Sequence, residues 1–234
     1  MENKGTFYAG LAIMFGLIIV GINIPKAVKV LDSSKRTVSV RGLSEREVAA
    51  DKVIWPLQYS VAGDDIDVLY KDLEQKNAKL VSYLTEGGIE KSEISVAVPN
   101  ISDLYTEEYG GNNRRYRYVV KSTVIVSTDK VSNVLDLRSR QNSLIPSGIT
   151  LQSGWGTEPT FSFESLNEIK PEMIEEATKN ARLSAQKFAD DSDSKLGKIR
   201  EASQGYFTIE DRDSNTPHIK KVRVVTNVVY SLTK

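Results

Sequence analysis

The chain has no cysteine and one histidine, His218, in 234 residues. The first absence excludes disulfides, thiol nucleophiles and cysteine metal sites, without selecting a compartment. The second excludes multi-histidine metal centres and leaves His218 as the only imidazole available for catalysis. An excess of charge is missing too. Lysine plus arginine and aspartate plus glutamate both number 31, so there is no basic field of the kind that draws nucleic acid. No G-x-S-x-G elbow accompanies His218. Gly154-Trp155-Gly156 lacks the further glycine and helix of a phosphate loop. Asp211-x-Asp213-x-Asn215 begins like a calcium loop, but Thr216 and Val222 stand where glycine and glutamate are required. That stretch reads as a polar loop, and Asp190, Asp191 and Asp193 read as a solvated helix end. No cofactor or metal signature emerges.

What the sequence does have is a long apolar run. Phe7 to Ile24, FYAGLAIMFGLIIVGINI, carries no charge. Eighteen such residues can cross a bilayer, with Pro25 closing the helix and Lys26 and Lys29 at headgroup level. A signal peptide calls for a shorter apolar region and a small-x-small cleavage site, so an uncleaved anchor fits better. The expected organisation is a tail at 1–6, an anchor at 7–24, a linker at 25–35 and one domain at 36–234. Lys26, Lys29, Lys35 and Arg36 follow the run whereas only Lys4 precedes it; the positive-inside rule alone would leave the domain in the cytoplasm.

Beyond the linker, Thr37–Arg41 alternates as a strand stopped by Gly42, and LSEREVAAD reads as a polar connection. Lys52–Val61 is a strand in which Pro56 marks an edge or bulge. Asp64 or Asp65 caps a helix with an inner face of Ile66, Leu69, Leu73, Leu80 and Leu84, ended at Gly87-Gly88. A strand presents Ile94, Val96 and Val98 on one face, and Leu104–Asn113 forms a hairpin tip. Next come a strand at Arg115–Ser127, a helix at Asp129–Gln141 with Val131, Val134 and Leu135 inward, and an interrupted strand at Ile149–Glu164. In PEMIEEATKNARLSAQKFADDSDSKLG, residues 171–197, Ile174, Ala177, Ala181, Ser184/Ala185 and Phe188 share one helix face. Its alanines predict a helix lying close on a sheet. A strand at Lys198–Tyr206, a polar loop TIEDRDSNTP and a strand at Ile219–Leu232 end the chain, the last with Val222, Val224, Val228, Tyr230 and Leu232 on one face. Helices interleaved with hairpins predict an α+β fold: mainly antiparallel sheet packed by two long helices and one shorter one, preceded by a transmembrane helix.

Several of these segments resemble the SIMPL-domain family. TVSVRG with Ala50-Asp51 is similar to its opening motif, although Ala50 stands where proline is usual. GGIEKSEISV matches its helix-to-strand junction. FSFESLNEI, EATKNARLSAQKFA and KLGKI match its most characteristic run. The likeness covers Arg36 to Lys234. It implies an α+β domain exported to the bacterial periplasm or outer envelope, with no established catalytic activity and no active site to transfer.

Tyr105, Tyr109, Arg115, Tyr116 and Arg117 form the candidate partner-binding cluster, because tyrosine and arginine are enriched at binding hot spots. The competing reading is a strand whose tyrosines pack while its arginines are solvated. Taken together, these features predict a single-pass inner-membrane protein with its C-terminal domain in the periplasm. Its expected role is non-catalytic interaction or scaffolding, with self-association because strand edges must be covered or paired. Its expected partners are the lipid bilayer through 7–24 and further copies of itself, not nucleic acid. The alternatives are a ligand- or metal-binding periplasmic module and a hydrolase built on His218 or a carboxylate pair.

Overall fold

A computed structural model describes residues 7, 8, 10, 12–21, 36–106, 115–154 and 156–233. They form an α+β fold with antiparallel sheets, divided into two compact units. One comprises Met1–Arg46, Asn167–Thr208 and Val222–Lys234; the other comprises Glu47–Leu166 and Ile209–Lys221. Residues 7, 8, 10 and 12–21 are helical and exposed. Among the described residues no helix is long and apolar enough to cross a membrane. Residues 22–24 of the expected span, and the linker, lie outside the described residues.

β1 (Thr37–Ala49) does not stop at Gly42 but runs through the segment expected as a polar connection. β2 (Lys52–Gly63) then opens the second unit, followed by α1 (Ile66–Glu86), β3 (Ile94–Val96), β4 (Asn100–Asp103), β5 (Tyr118–Thr128), α2 (Val131–Ser139) and β6 (Thr160–Ser162). Their sheet has the order β3-β5-β2-β6, with β4 also on β5. β2 and β5 pair antiparallel from Val53↔Thr128 to Gly63↔Tyr118. Alternation puts Trp55, Leu57 and Tyr59 of β2 and Val120, Val124 and Val126 of β5 in one core with Leu69, Leu73, Leu80 and Leu84 of α1. Of the two cap candidates, Asp64 and Asp65, the cap is Asp65, whose carboxylate accepts from the N–H groups of Asp67 and Val68. Pro56 lies in an interior strand but past the end of the β6 pairing, which covers only Lys52–Ile54 of β2. The Gln58 carbonyl accepts from Gln152 N–H on the side away from β5, and Pro56, two residues earlier, faces the same way, so its missing N–H costs no ladder bond.

Three expectations in this unit need correction. Val98 is 93% exposed, because β3 ends at Val96 and pairing with β5 resumes at Asn100. From Val96↔Val124 to Asn100↔Lys121 one strand spends an extra residue, which displaces Val98 from the predicted face. The strand expected across Ile149–Glu164 is reduced to β6. The helix expected to Gln141 ends at Ser139 and gives way to a 3-10 turn at Gln141–Ser147. In α2, Val134 and Leu137 are fully buried, with Val131 and Leu135 partly buried beside them.

The other unit is built on most of β1, α3 (Leu166–Asp191), β7 (Lys195–Gln204) and most of β9 (Ile219–Thr233), in a sheet of order β1-β9-β7; β8 (Thr208–Asp211), which falls almost wholly in the Ile209–Lys221 segment, also pairs with β9. β8 occupies part of what reads as a polar loop. Val222, Val224, Val228 and Tyr230 are buried together as expected. Leu232 N–H donates to the Arg36 carbonyl and Ala50 N–H to the His218 carbonyl. Both bonds belong to one antiparallel register, which sets Gly42 opposite Thr226.

α3 lies on this sheet through Met173, Ala177, Ala181, Ala185 and Ala189, so the alanine face is the packing face. Phe188, expected on it, is 60% exposed. The buried residues recur every fourth position, and Phe188 falls beside that stripe. The close approach is specific to Gly42: a Cβ there would lie 2.5 Å from the Ala181 nitrogen and nearer still to the Ala177 carbonyl oxygen. Glycine inside a strand here marks helix contact rather than a strand end.

Candidate partner-binding site at the base of the β4–β5 hairpin

β4 and β5 bring Asp103 and Arg117 to the base of a hairpin. The Leu104 N–H donates to the Arg117 carbonyl at 2.7 Å. Arg117 is the centre of the cluster. Its Nε lies 3.1 Å and one terminal nitrogen 2.9 Å from Asp103 Oδ2, a fork geometry that only guanidinium supplies. The guanidinium carbon sits 4.8 Å from the Tyr118 ring centroid and 5.9 Å from that of Tyr105, both cation–π distances. The Arg117 N–H is taken by Asp64 at 2.8 Å. Asp103 also accepts from the Tyr105 N–H.

The electrostatics follow from this geometry. The hydrogen bonds from Arg117 hold the Asp103 carboxyl below its ordinary value. Asp103 in turn raises Arg117.

The predicted residues therefore divide by role. Arg117 is paired with Asp103 through Nε and one terminal nitrogen and holds the site in shape. Tyr105 is 66% exposed and Tyr116 37%, and the exposed Arg115 lies over the Tyr116 ring at 5.3 Å. These three present their aromatic and cationic surfaces outward. Arg115 and Tyr116 precede β5 rather than belonging to it, and Tyr109 lies outside the described residues. Asp103 was not singled out by sequence, and Asp64 only as one of two candidates for the cap of α1. The only signal for Asp103 is the hairpin itself, which folds it back beside Arg117.

Elsewhere the polar groups are occupied locally. Asp213 Oδ1 accepts from Asn215 and Thr216 N–H at 2.8 and 2.9 Å, and Oδ2 from the Thr216 hydroxyl and Arg212. Those bonds, with the Thr216 hydroxyl first, draw its carboxyl down to about 2. The loop that resembles a calcium site thus spends its central carboxylate on its own backbone. Among the described residues no three histidine or acidic side chains are grouped to hold a metal. The His218 ring stands edge-on to Phe161, with centroids 6.0 Å apart. A cleft of about 100 Å³ beside Trp55 and Pro56 is lined by Gln141, Gln152, Thr157 and the Arg138–Glu158 ion pair. It is small against the roughly 300–1,000 Å³ of small-molecule sites.

Comparison with curated proteins finds no match. The profile of the SIMPL family, described as a protein of unknown function (DUF541), matches residues 38–230. That interval takes in both sheets, the alanine-faced helix α3 and the hairpin site, and the chain belongs to the SIMPL family.

Proposed function

We propose that this SIMPL chain is a membrane-anchored interaction module of the bacterial envelope, with a scaffold role rather than a catalytic one, and that it self-associates. The observation that carries the reading is the Arg117 cluster. Tyr105 and Tyr116 stand exposed on a base that Asp103 and Arg117 stiffen, so a partner would meet aromatic surface at low ordering cost. The anchor is residues 7–24, whose described helical positions are exposed and apolar. The protein crosses the inner membrane once and its C-terminal domain lies in the periplasm, as the family likeness implies.

Sedimentation of the full chain in a mild detergent, over a range of concentrations, tests the self-association. Particles of more than one chain are expected. A mass of one chain at every concentration would overturn it.

A further inference from the structure

β1 has β9 on one side and, among the described residues, no strand on the other. The Leu232 N–H bonds the Arg36 carbonyl. Arg36, Val38 and Val40 therefore turn their backbone groups to β9, while Thr37, Ser39 and Arg41 turn theirs to the open edge. The Leu43 carbonyl belongs to the same outward set, and the Asn180 side chain donates to it at 2.8 Å. Ser44 and Arg46 bond Glu176 and Glu172 on the same flank of α3. That flank recurs every fourth residue, like the buried stripe beside it, and continues through Ser184 and Phe188. Val40 is buried with Ala181 and Ala185, which sets the first residues of β1 level with this continuation. There Ser184, Lys187, Phe188 and Asp191 line a groove of about 380 Å³. An open strand edge beside a groove is the geometry that takes up an extended segment.

We propose that residues 27–31 of this chain, AVKVL, fill that edge as an added antiparallel strand. They lie outside the described residues and end just before β1, joined to it through Asp32-Ser33-Ser34-Lys35, residue types that favour a turn. A two-residue turn at Ser33-Ser34 makes Asp32 and Lys35 its closing hydrogen-bonded pair, and Lys35 has the outward parity of Thr37. Val30 then falls opposite Thr37 and Val28 opposite Ser39, each a hydrogen-bonded pair. Ala27, Lys29 and Leu31 share the helix side with Val38 and Val40. Ala27 and Leu31 offer apolar surface to Phe188, and Lys29 has the opposite charge to Asp191, which lines the groove without an ion pair. Lys26 would stand opposite Arg41, a like-charge pair that ends the ladder. The occupant is this segment because its tether holds it at the edge, at an effective concentration on the order of millimolar. It covers an edge otherwise open to foreign strands. Only Pro25 and Lys26 separate it from the apolar run ending at Ile24. With the anchor proposed above, it ties this unit to the membrane surface; the pairing itself does not depend on that anchor.

Because the chain has no native cysteine, paired cysteines test this in the full chain in detergent. Val28→Cys/Ser39→Cys puts both thiols on one face within bonding reach, whereas Lys29→Cys/Ser39→Cys puts them on opposite faces. The first pair should close an intrachain disulfide about tenfold faster than the second under the same oxidant. Equal rates, no bond in either variant, or a bond that joins two chains would each overturn the assignment. The Thr37 and Ser39 amides should also exchange slowly in the wild type, and about tenfold or more faster when residues 27–31 are replaced by glycine and serine. Fast exchange in the wild type, or protection that survives the replacement, overturns it equally.

Discussion

Gly42 and Ala177 are in backbone-to-backbone contact, strand against helix, with no room for a methyl group between them. This is why β1 keeps a glycine in its interior and why α3 presents alanines to the sheet. Gly42→Ala forces the helix off the strand. Overpacking against backbone that cannot yield costs about 3 kcal/mol, or about 6–12 °C in melting temperature for a chain of this size. Thermal unfolding followed by circular dichroism checks it, and a shift under about 2 °C would mean that α3 does not lie so close.

Opposite Gly42, the Thr226 hydroxyl is buried without a hydrogen-bond partner among the described residues. Thr226→Val keeps the shape and removes the unsatisfied group. Stability should stay level or rise by up to about 1 kcal/mol. A loss of that size in a urea titration would show that the hydroxyl has a partner.

Asp213 is one of the carboxyls that contribute to the pH dependence, and it has the large shift. Its folded carboxyl titrates at about 2, against an ordinary 3.8. A lowered carboxyl stabilises the fold fully above the unfolded value, and the contribution fades as pH falls from about 4 through 2. Nuclear magnetic resonance titration should place its midpoint near 2, and Arg212→Ala should raise it. A wild-type midpoint near 3.8 would contradict the loop geometry.

At the hairpin base, Tyr105→Ala and Arg115→Glu alter exposed groups and should leave stability within about 0.5 kcal/mol. Both should nevertheless reduce partner capture, scored as covalent adducts from a photo-cross-linking residue placed at Tyr116 in living cells. Undiminished adducts in both variants would remove the site from the interaction.

Elements whose determinants are local were readable in the sequence. The leucines of α1, its Asp65 cap and the alternating valines of β9 all follow a period or a cap within a few residues. The hairpin tyrosines and arginines were readable as residue types for the same reason. What was not readable depends on distant partners. β1 passes through Gly42 because a helix more than a hundred residues later needs the space. α3 starts at Leu166, five residues before Pro171, where the Asp51 carboxylate accepts from the Glu164 and Ser165 N–H groups. Burial raises the Asp51 carboxyl, but these bonds outweigh it and leave it below its ordinary value. The placement of Phe188 was missed because a helix face read every three or four residues is wider than the stripe that α3 buries. Arg117 was legible as a surface arginine, and its neutralisation by Asp103 was not.

The membrane-anchored, envelope-facing arrangement is the claim on which the rest depends, and flanking charge argues the other way. A reporter fused after Lys234 decides it directly. A phosphatase that needs its own disulfides is active only outside the cytoplasm. A membrane-anchored periplasmic domain should give an active phosphatase fusion that stays with the membrane fraction through an alkaline carbonate wash. An inactive phosphatase, with a fluorescent fusion bright in the cytoplasm, would contradict it.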